Sequence, residues 1–329
     1  MKKLLLATAV AALSVSAANA APTVYGKVFL TLDAIEADDG FAGNVGNSDE
    51  RTQLRSNSSR IGLKGSEALT ANTDVVYQLE YGVDVDNDSD QFYSRDTFIG
   101  LENAQYGKVL AGRLTTIDDN INFTNVASGG VLGDDAILSS FDAPRANNSF
   151  AYFSPENNGM QFMAMYVMDE DNLTSVTDYA DEDGNFDERD AFALAAKYEV
   201  AQVKAGASYI QSGDSKIARI NGSYDIAPQL TVAALYQMAD YAAADEKENT
   251  FTVSGQMKTA TPWTTYAQAD VTQNYAGFED ADAYRVLAGG KYAFNAATTG
   301  HLYGAYANLD DGSDDADGFG LGGGIEYKF

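Results

Sequence analysis

The side chains best equipped for chemistry in this chain are carboxylates, with 48 Asp and Glu against 21 Lys and Arg. Cysteine is absent and His301 is the only histidine. That removes disulfides, thiolate metal sites and thiol nucleophiles, and leaves a single imidazole for any hydrolytic relay. A serine hydrolase needs Ser, His and an orienting acid in mutual reach. His301 is flanked by Gly300 and Leu302, forms no nucleophile motif, and reads as an ordinary strand-end histidine. Grouped carboxylates suit hard cations. The run Asp181-Glu182-Asp183-Gly184-Asn185-Phe186-Asp187-Glu188 is rich in oxygen donors, but its glycine and last carboxylate miss the twelve-residue EF-hand spacing. Asp86, Asp88 and Asp90 have alternate spacing without the glycine. The expectation is no cofactor, with at most weak divalent cation bridging between acidic loops. A formal charge of −27 also argues against nucleic acid, whose phosphates need clustered Lys and Arg.

The elements that must position these groups follow from periodicity. Met1 to Ala20 has two lysines, an apolar stretch from Leu4 to Val15 and an Ala18-Asn19-Ala20 cleavage pattern, the features of a secretory signal peptide. Removing residues 1–20 takes away two lysines and gives a mature charge of −27 − 2 = −29 for residues 21–329. Beyond that segment no apolar run approaches the ~20 residues of a spanning helix, and the dominant period is two. Val75, Tyr77, Leu79, Tyr81 and Val83 alternate with polar residues in Thr73 to Val85. Ile217 to Ile226, Thr250 to Lys258 and Ala283 to Phe294 repeat the pattern. Short connections such as Ala227-Pro228-Gln229 alternate with long acidic ones. Asp169 to Glu188 carries nine carboxylates and Asp310 to Asp317 carries five. All five prolines fall at segment ends, where no ladder donor is lost. About sixteen strands of roughly ten residues fit the mature length, as a membrane barrel requires. Phe319, Leu321, Gly323, Ile325, Tyr327 and Phe329 make an alternating last strand that would close the barrel against Thr23 to Asp33. A soluble two-sheet sandwich is the alternative, disfavoured by aromatic residues recurring near strand ends, as at membrane girdles.

Several motifs carry a family resemblance. They are Val24-Tyr25-Gly26-Lys27-Val28, Ser59-Arg60-Ile61-Gly62-Leu63-Lys64-Gly65, Arg95-Asp96-Thr97-Phe98-Ile99-Gly100-Leu101 and Tyr106-Gly107-Lys108-Val109-Leu110-Ala111-Gly112-Arg113. Arg145, then Asn148 to Pro155, and the closing Glu326-Tyr327-Lys328-Phe329 complete them. Over nearly all of the mature chain the sequence resembles the trimeric general diffusion porins of the Gram-negative outer membrane. The resemblance implies an all-β, 16-stranded antiparallel transmembrane barrel with short periplasmic turns, long acidic extracellular loops and an infolded third loop.

It also implies a constriction in which arginines on early strands face an acidic loop. By motif position Arg60, Arg95, Arg113 and Arg145 would form the basic wall. Parity agrees for Arg60, which shares a face with Gly62 and Lys64, opposite Ile61 and Leu63. The thirty residues from Thr115 to Pro144 are too long for a hairpin connection and sit where the infolded loop belongs. Their carboxylates include Asp118, Asp119, Asp134, Asp135 and Asp142. With Gly129, Gly130 and Gly133 permitting a reversal, Asp134 and Asp135 are the first choice for the acidic side. Tyr327 and Phe329 match the family's C-terminal assembly signal, read by the barrel-assembly machinery. A homotrimer, contact with lipopolysaccharide and outer-membrane lipid, passage of small hydrophilic solutes and ions, and no enzymatic activity are further implications. The acidic mouth should give a moderate cation preference that weakens as salt rises. The competing class is a non-channel or enzymatic barrel, either an adhesin or a hydrolase.

Overall fold

The computed structural model describes residues 21–38, 50–87, 91–129, 131–132, 137–168, 190–242, 244–310 and 315–329. The signal-peptide assignment at residues 1–20, Asp88, Asp90, Asp134, Asp135 and the Asp181–Glu188 run lie outside them. The strands are β1 (Thr23–Ala37), β2 (Glu50–Ser56), β3 (Arg60–Thr70), β4 (Thr73–Val83), β5 (Phe92–Asn103), β6 (Gly107–Thr115), β7 (Arg145–Phe153), β8 (Met160–Val167) and β9 (Ala191–Val200). They continue as β10 (Val203–Ser212), β11 (Ser215–Ala227), β12 (Leu230–Asp240), β13 (Glu248–Lys258), β14 (Trp263–Gln273), β15 (Asp282–Ala293), β16 (Thr298–Asp310) and β17 (Asp315–Lys328). Apart from β2 and β3, which both pair with β1, each pairs antiparallel with its sequence neighbours, and β17 pairs with β1, so the sheet closes.

These segments occupy sixteen barrel positions, because β2 and β3 are one strand interrupted at Asn57–Ser59. β1 pairs with β2 from Leu30 to Glu36 and with β3 from Thr23 to Lys27. At the break Ser58 takes a positive φ of 50°. The Ser59 hydroxyl then accepts from Phe29 N at 2.9 Å and donates to Phe29 O at 3.3 Å, replacing the missing ladder bonds.

Side chains alternate as a lipid-embedded wall requires. Leu302 is 60% exposed and Ile220 59%, while their neighbours His301 and Arg219 are 4% and 1% exposed on the inner face. Exposed aromatics band both rims. Tyr106, Tyr224, Phe294 and Phe329 lie toward the turns, and Phe92, Phe251, Tyr284 and Phe319 toward the loops. The expected alternation of short and long connections fails twice at the loop end: β10 and β11 are joined by Gly213 and Asp214 alone, and β16 and β17 by the four residues 311–314. β1 also runs four residues past Asp33, and β16 and β17 reach to Asp310 and Asp315, which shortens the predicted final loop.

The dry core lies inside the barrel, between its wall and the chain joining β6 to β7. One cluster packs Ile117, Ile121 and Phe141 of that connection against Leu110, Met163, Met165 and Ile210. A second packs its Val131 and Leu132 against Ile35, Ala37, Leu287 and Tyr303.

Candidate functional site

The four arginines singled out in the sequence sit on neighbouring strands, Arg60 opening β3, Arg95 in β5, Arg113 in β6 and Arg145 opening β7. They form two charged groups, each built around a carboxylate. Glu80 of β4 accepts from Arg95 Nε at 2.6 Å, lies 3.7 Å from Arg60 Nε, and accepts from the Tyr25 hydroxyl at 2.9 Å. Asp96 accepts from Arg145 Nε at 2.6 Å and from the Thr115 hydroxyl at 2.9 Å. Arg113 lies in the field of Asp96 and Arg145 and donates to Asn147 Oδ1 at 2.6 Å.

A local irregularity makes this possible. Adjacent residues of a regular strand face opposite ways, which would put either Arg95 or Asp96 in lipid. The β4–β5 register shifts between Leu79, opposite Thr97, and Tyr81, opposite Ser94. Arg95 and Asp96 thus stand together across from Glu80, as at a β-bulge, and both reach the lumen.

The described residues of the connection 115–144 fold into the barrel and follow the opposite wall. It begins with a short 3-10 helix, Ile117–Ile121, whose two isoleucines are fully buried. Gly206 of β10 makes room for it, since a Cβ there would lie 2.6 Å from Ile121 Cβ. Farther on, Thr124 donates to Asn221 Oδ1 at 3.0 Å, and Val126 N donates to Gln268 Oε1 at 3.3 Å. Val131 and Leu132 then seat on the glycine-bare inner face of β17, where a Cβ on Gly320 would lie 2.9 Å from Val131 Cβ. On the return, Gln237 Nε2 donates to Ser139 Oγ at 2.7 Å and to Phe141 O at 2.8 Å, and Ser139 donates to Glu248 at 2.6 Å.

The loop carboxylates divide by role. Asp118 is 1% exposed and faces the wall, 3.4 Å from Arg219 Nη1. Asp142 accepts from Arg219 Nη2 at 2.8 Å, and Gln237 accepts from Arg219 Nε at 2.8 Å. These two aspartates fasten the root of the loop instead of presenting charge to the lumen. Burial pushes the Asp142 carboxyl up, with Arg219 opposing. Asp119 is the one turned outward, into the space shared with Asp96 and Arg145. Enclosure first, then the neighbouring Asp118, Asp142 and Asp96, raise its pKa to about 6, with Arg145 pulling the other way. Across the described constriction the four arginines Arg60, Arg95, Arg113 and Arg145 meet the carboxylates of Glu80, Asp96 and Asp119, while Arg219, Asp118 and Asp142 are paired behind it at the loop root.

Sequence reasoning missed Glu80, Asp96 and Arg219 as members of the site. Glu80 and Arg219 both lay on the polar face of an alternating strand, and that parity was the available signal. Asp96 shares the inner face of β5 with Phe98 and Gly100, but nothing in the sequence marked the register shift that lets Arg95 face inward beside it.

Comparison with known proteins agrees with this geometry. A family model described as Gram-negative porin matches residues 7–328. The chain belongs to that family. A major outer membrane protein P.IB of Neisseria sicca is 36% identical over 121 residues, covering 36% of this chain and 33% of that protein. An outer membrane porin protein of Bordetella pertussis is 29% identical over 180 residues, covering 49% and 47%. The matched stretches thus span a third to about half of these curated relatives. Among solved structures, an anion-selective porin from Comamonas acidovorans superimposes with a TM-score of 0.73 at 18% identity, covering 94% of this chain and all of that one. OmpF of Salmonella typhi superimposes at 0.71 and 18% identity, covering 94% and 97%, and a trimer form of OmpT from Vibrio cholerae at 0.69 and 17%, covering 94% and 100%. The porin chain is accordingly an outer-membrane β-barrel.

His301 lies on the inner face of β16, its ring 4.5 Å from that of Phe29, and among the described residues neither ring nitrogen has a hydrogen-bond partner. At the C-terminus, Phe329 and Gly26 exchange both backbone hydrogen bonds, at 3.0 and 3.1 Å, and the Phe329 ring covers Gly26. Tyr327 stacks on Phe329 at 6.3 Å, both half-exposed on the outer face. Among the described residues no group of three or more His, Asp or Glu is arranged to hold a metal.

Proposed function

We propose that this porin is an open diffusion channel for small hydrophilic solutes and ions, with a modest cation preference at low salt. The observation that carries the reading is the course of the infolded loop, fastened along one wall while the arginine wall stands opposite. Such a loop narrows the lumen without plugging it. Arg60, Arg95, Arg113 and Arg145 on one side and Asp119 on the other would then order water in the gap and align dipolar solutes, with Asp134 and Asp135 as further acidic members.

Partial neutralisation of the basic wall supports this ion preference. A basic wall alone would select anions, but Glu80 and Asp96 offset two of its four arginines. Discrimination then falls to the acidic loop mouth, whose reach follows the Debye length, about 8 Å at 0.15 M salt and about 3 Å at 1 M. One solved structure of OmpT from Vibrio cholerae is a trimer form, and a homotrimer embedded in lipopolysaccharide is the assembly proposed here. Tyr327 and Phe329 at the barrel seam would serve recognition by the assembly machinery, and any divalent cation at the acidic loops would be weakly held.

The test is a reversal potential across a salt gradient, at low and at high mean concentration. Cation preference at low salt that falls toward none at 1 M supports the reading. Glu80→Gln, which leaves Arg60 and Arg95 without their shared carboxylate, should move the low-salt reversal potential toward anions. Anion preference of the parent at low salt would sink the proposal.

A further inference from the structure

Charge is distributed along the channel axis as unevenly as across it. Ten lysines lie between Thr23 and Phe329. All but Lys216 and Lys247 occupy the turn-side half of their strands, and strand parity points each of those eight inward. Five are held against aromatic faces: Lys27 5.3 Å above Phe29, Lys64 5.0 Å above Tyr25, Lys108 5.0 Å above Phe153, Lys204 5.7 Å above Phe123 and Lys291 5.1 Å above Tyr266. Such contacts hold the ammonium groups against the wall. The inward carboxylates of the same half are Asp74, Glu102, Glu199, Asp225 and Glu326, so the turn-side vestibule carries 8 − 5 = +3. At the loop end the balance reverses. Residues 240–248 and 279–282 alone hold seven carboxylates against one lysine.

A lumen that is acidic at one mouth and basic at the other stores opposite counter-ions in its two halves. A field that drives cations inward from the acidic mouth also drives anions inward from the basic one. Both then accumulate in the middle and conductance rises. The reversed field sweeps both toward the mouth that holds them, depletes the middle, and lowers conductance. We propose that this porin is an ionic rectifier, carrying more current when the turn side is negative than when it is positive. The inference rests on the open-channel reading above and goes beyond it, since an axially symmetric channel would also select ions.

The experiment uses the full mature chain in planar bilayers, with current–voltage curves taken in symmetric 20 mM and 1 M KCl. Asp86→Cys, the sole thiol of a cysteine-free chain on an exposed loop-end residue, reports orientation by its reaction with an impermeant thiol reagent from one side. At 20 mM the turn-side-negative current should exceed the reverse by about 1.5-fold or more at 100 mV, and at 1 M the ratio should approach one as screening shortens to about 3 Å. Lys64→Gln with Lys108→Gln, neither at the constriction, should bring the 20 mM ratio toward one and leave the 1 M conductance unchanged. Symmetric curves at 20 mM from a conducting channel, or rectification of the opposite sign, overturn the inference and leave the channel reading standing. A refolded barrel that does not conduct overturns both.

Discussion

Arg219 holds the constriction open from behind, and its removal gives a graded outcome. Arg219 is 1% exposed and serves two loop aspartates, Asp142 at 2.8 Å and the fully buried Asp118 at 3.4 Å. Arg219→Met keeps much of the side-chain volume and leaves both carboxylates facing an apolar wall. Removing one partner of a buried ion pair costs about 3–5 kcal/mol, because the remaining charge is uncompensated. Against this, Ile117 and Ile121 are completely buried beside Asp118, and burying a side chain of that size stabilises by about 1.5–3 kcal/mol, or roughly 3–6 for the pair. The two effects nearly balance. The loop root should loosen, while the tip stays seated through Val131, Leu132 and the Arg285 bond to Leu132 O at 3.3 Å. Open-channel current noise and protease cleavage between β6 and β7 read this directly. Both should rise in Arg219→Met at pH 7.5 and recede as pH is lowered toward 5, since burial already pushes the Asp142 carboxyl up and Arg219 no longer opposes it. Adding Asp118→Asn and Asp142→Asn should restore a quiet channel at both pH values. An Arg219→Met channel as quiet as the parent at pH 7.5 refutes the reasoning, as does a triple variant as noisy as the single one.

Two further outcomes follow from the loop. With the folded pKa of Asp119 raised to about 6 from the ordinary 3.8, the folded protein takes up this proton first as pH falls. Its contribution to stability therefore improves on acidification through pH 6, while the constriction loses a negative charge; cation preference should decline from pH 7 to pH 5 in the parent, and that decline should shrink in Asp119→Asn. At the tip, Gly320→Val places methyl groups where Val131 sits, with even the first added carbon only 2.9 Å from Val131 Cβ; the tip should be pushed into the lumen, and an unchanged single-channel conductance would contradict the seating described here.

The barrel was legible because a lipid-embedded wall admits one pattern. Every outward residue must be apolar and every backbone donor must be paired, so period two, prolines at strand ends and the terminal Phe329 carry the fold in plain view. The constriction was legible only in part. Arg60 could be aimed by counting, since no irregularity separates it from Gly62 and Lys64. Arg95 could not, because one extra residue in β5 opposite Glu80 takes it off the outer face that it would share with Ile99 and Leu101, and nothing in Arg95-Asp96-Thr97 distinguishes a bulge from a regular strand. Asp118 and Asp119 are adjacent and chemically identical in sequence. One is buried against Arg219 and the other faces the lumen because the isoleucines at 117 and 121 fix the rotation of a single helical turn. That choice depends on the partner wall, some hundred residues away in sequence.

A barrel wide enough to conduct has no core of its own, since its interior must stay wet and its exterior meets lipid. In this porin the dry interior is confined to the space between the infolded loop and the wall that it covers. Most interactions that shape the aperture are therefore also tertiary interactions: Ile117 and Ile121 against the cleared face at Gly206, Val131 against Gly320, and the serines of the returning segment on Glu248. Pore size and loop stability are then set by one collection of contacts. A substitution that widens the channel by thinning the loop must open a cavity, at about 2–5 kcal/mol for a large aliphatic cut to alanine. One that narrows it by enlarging the wall must lift the loop from its seat. The polar residues that line the open side, Arg60, Arg95, Glu80 and Asp119, are less bound by that constraint. Selectivity can drift through them while the aperture stays where the apolar seat puts it.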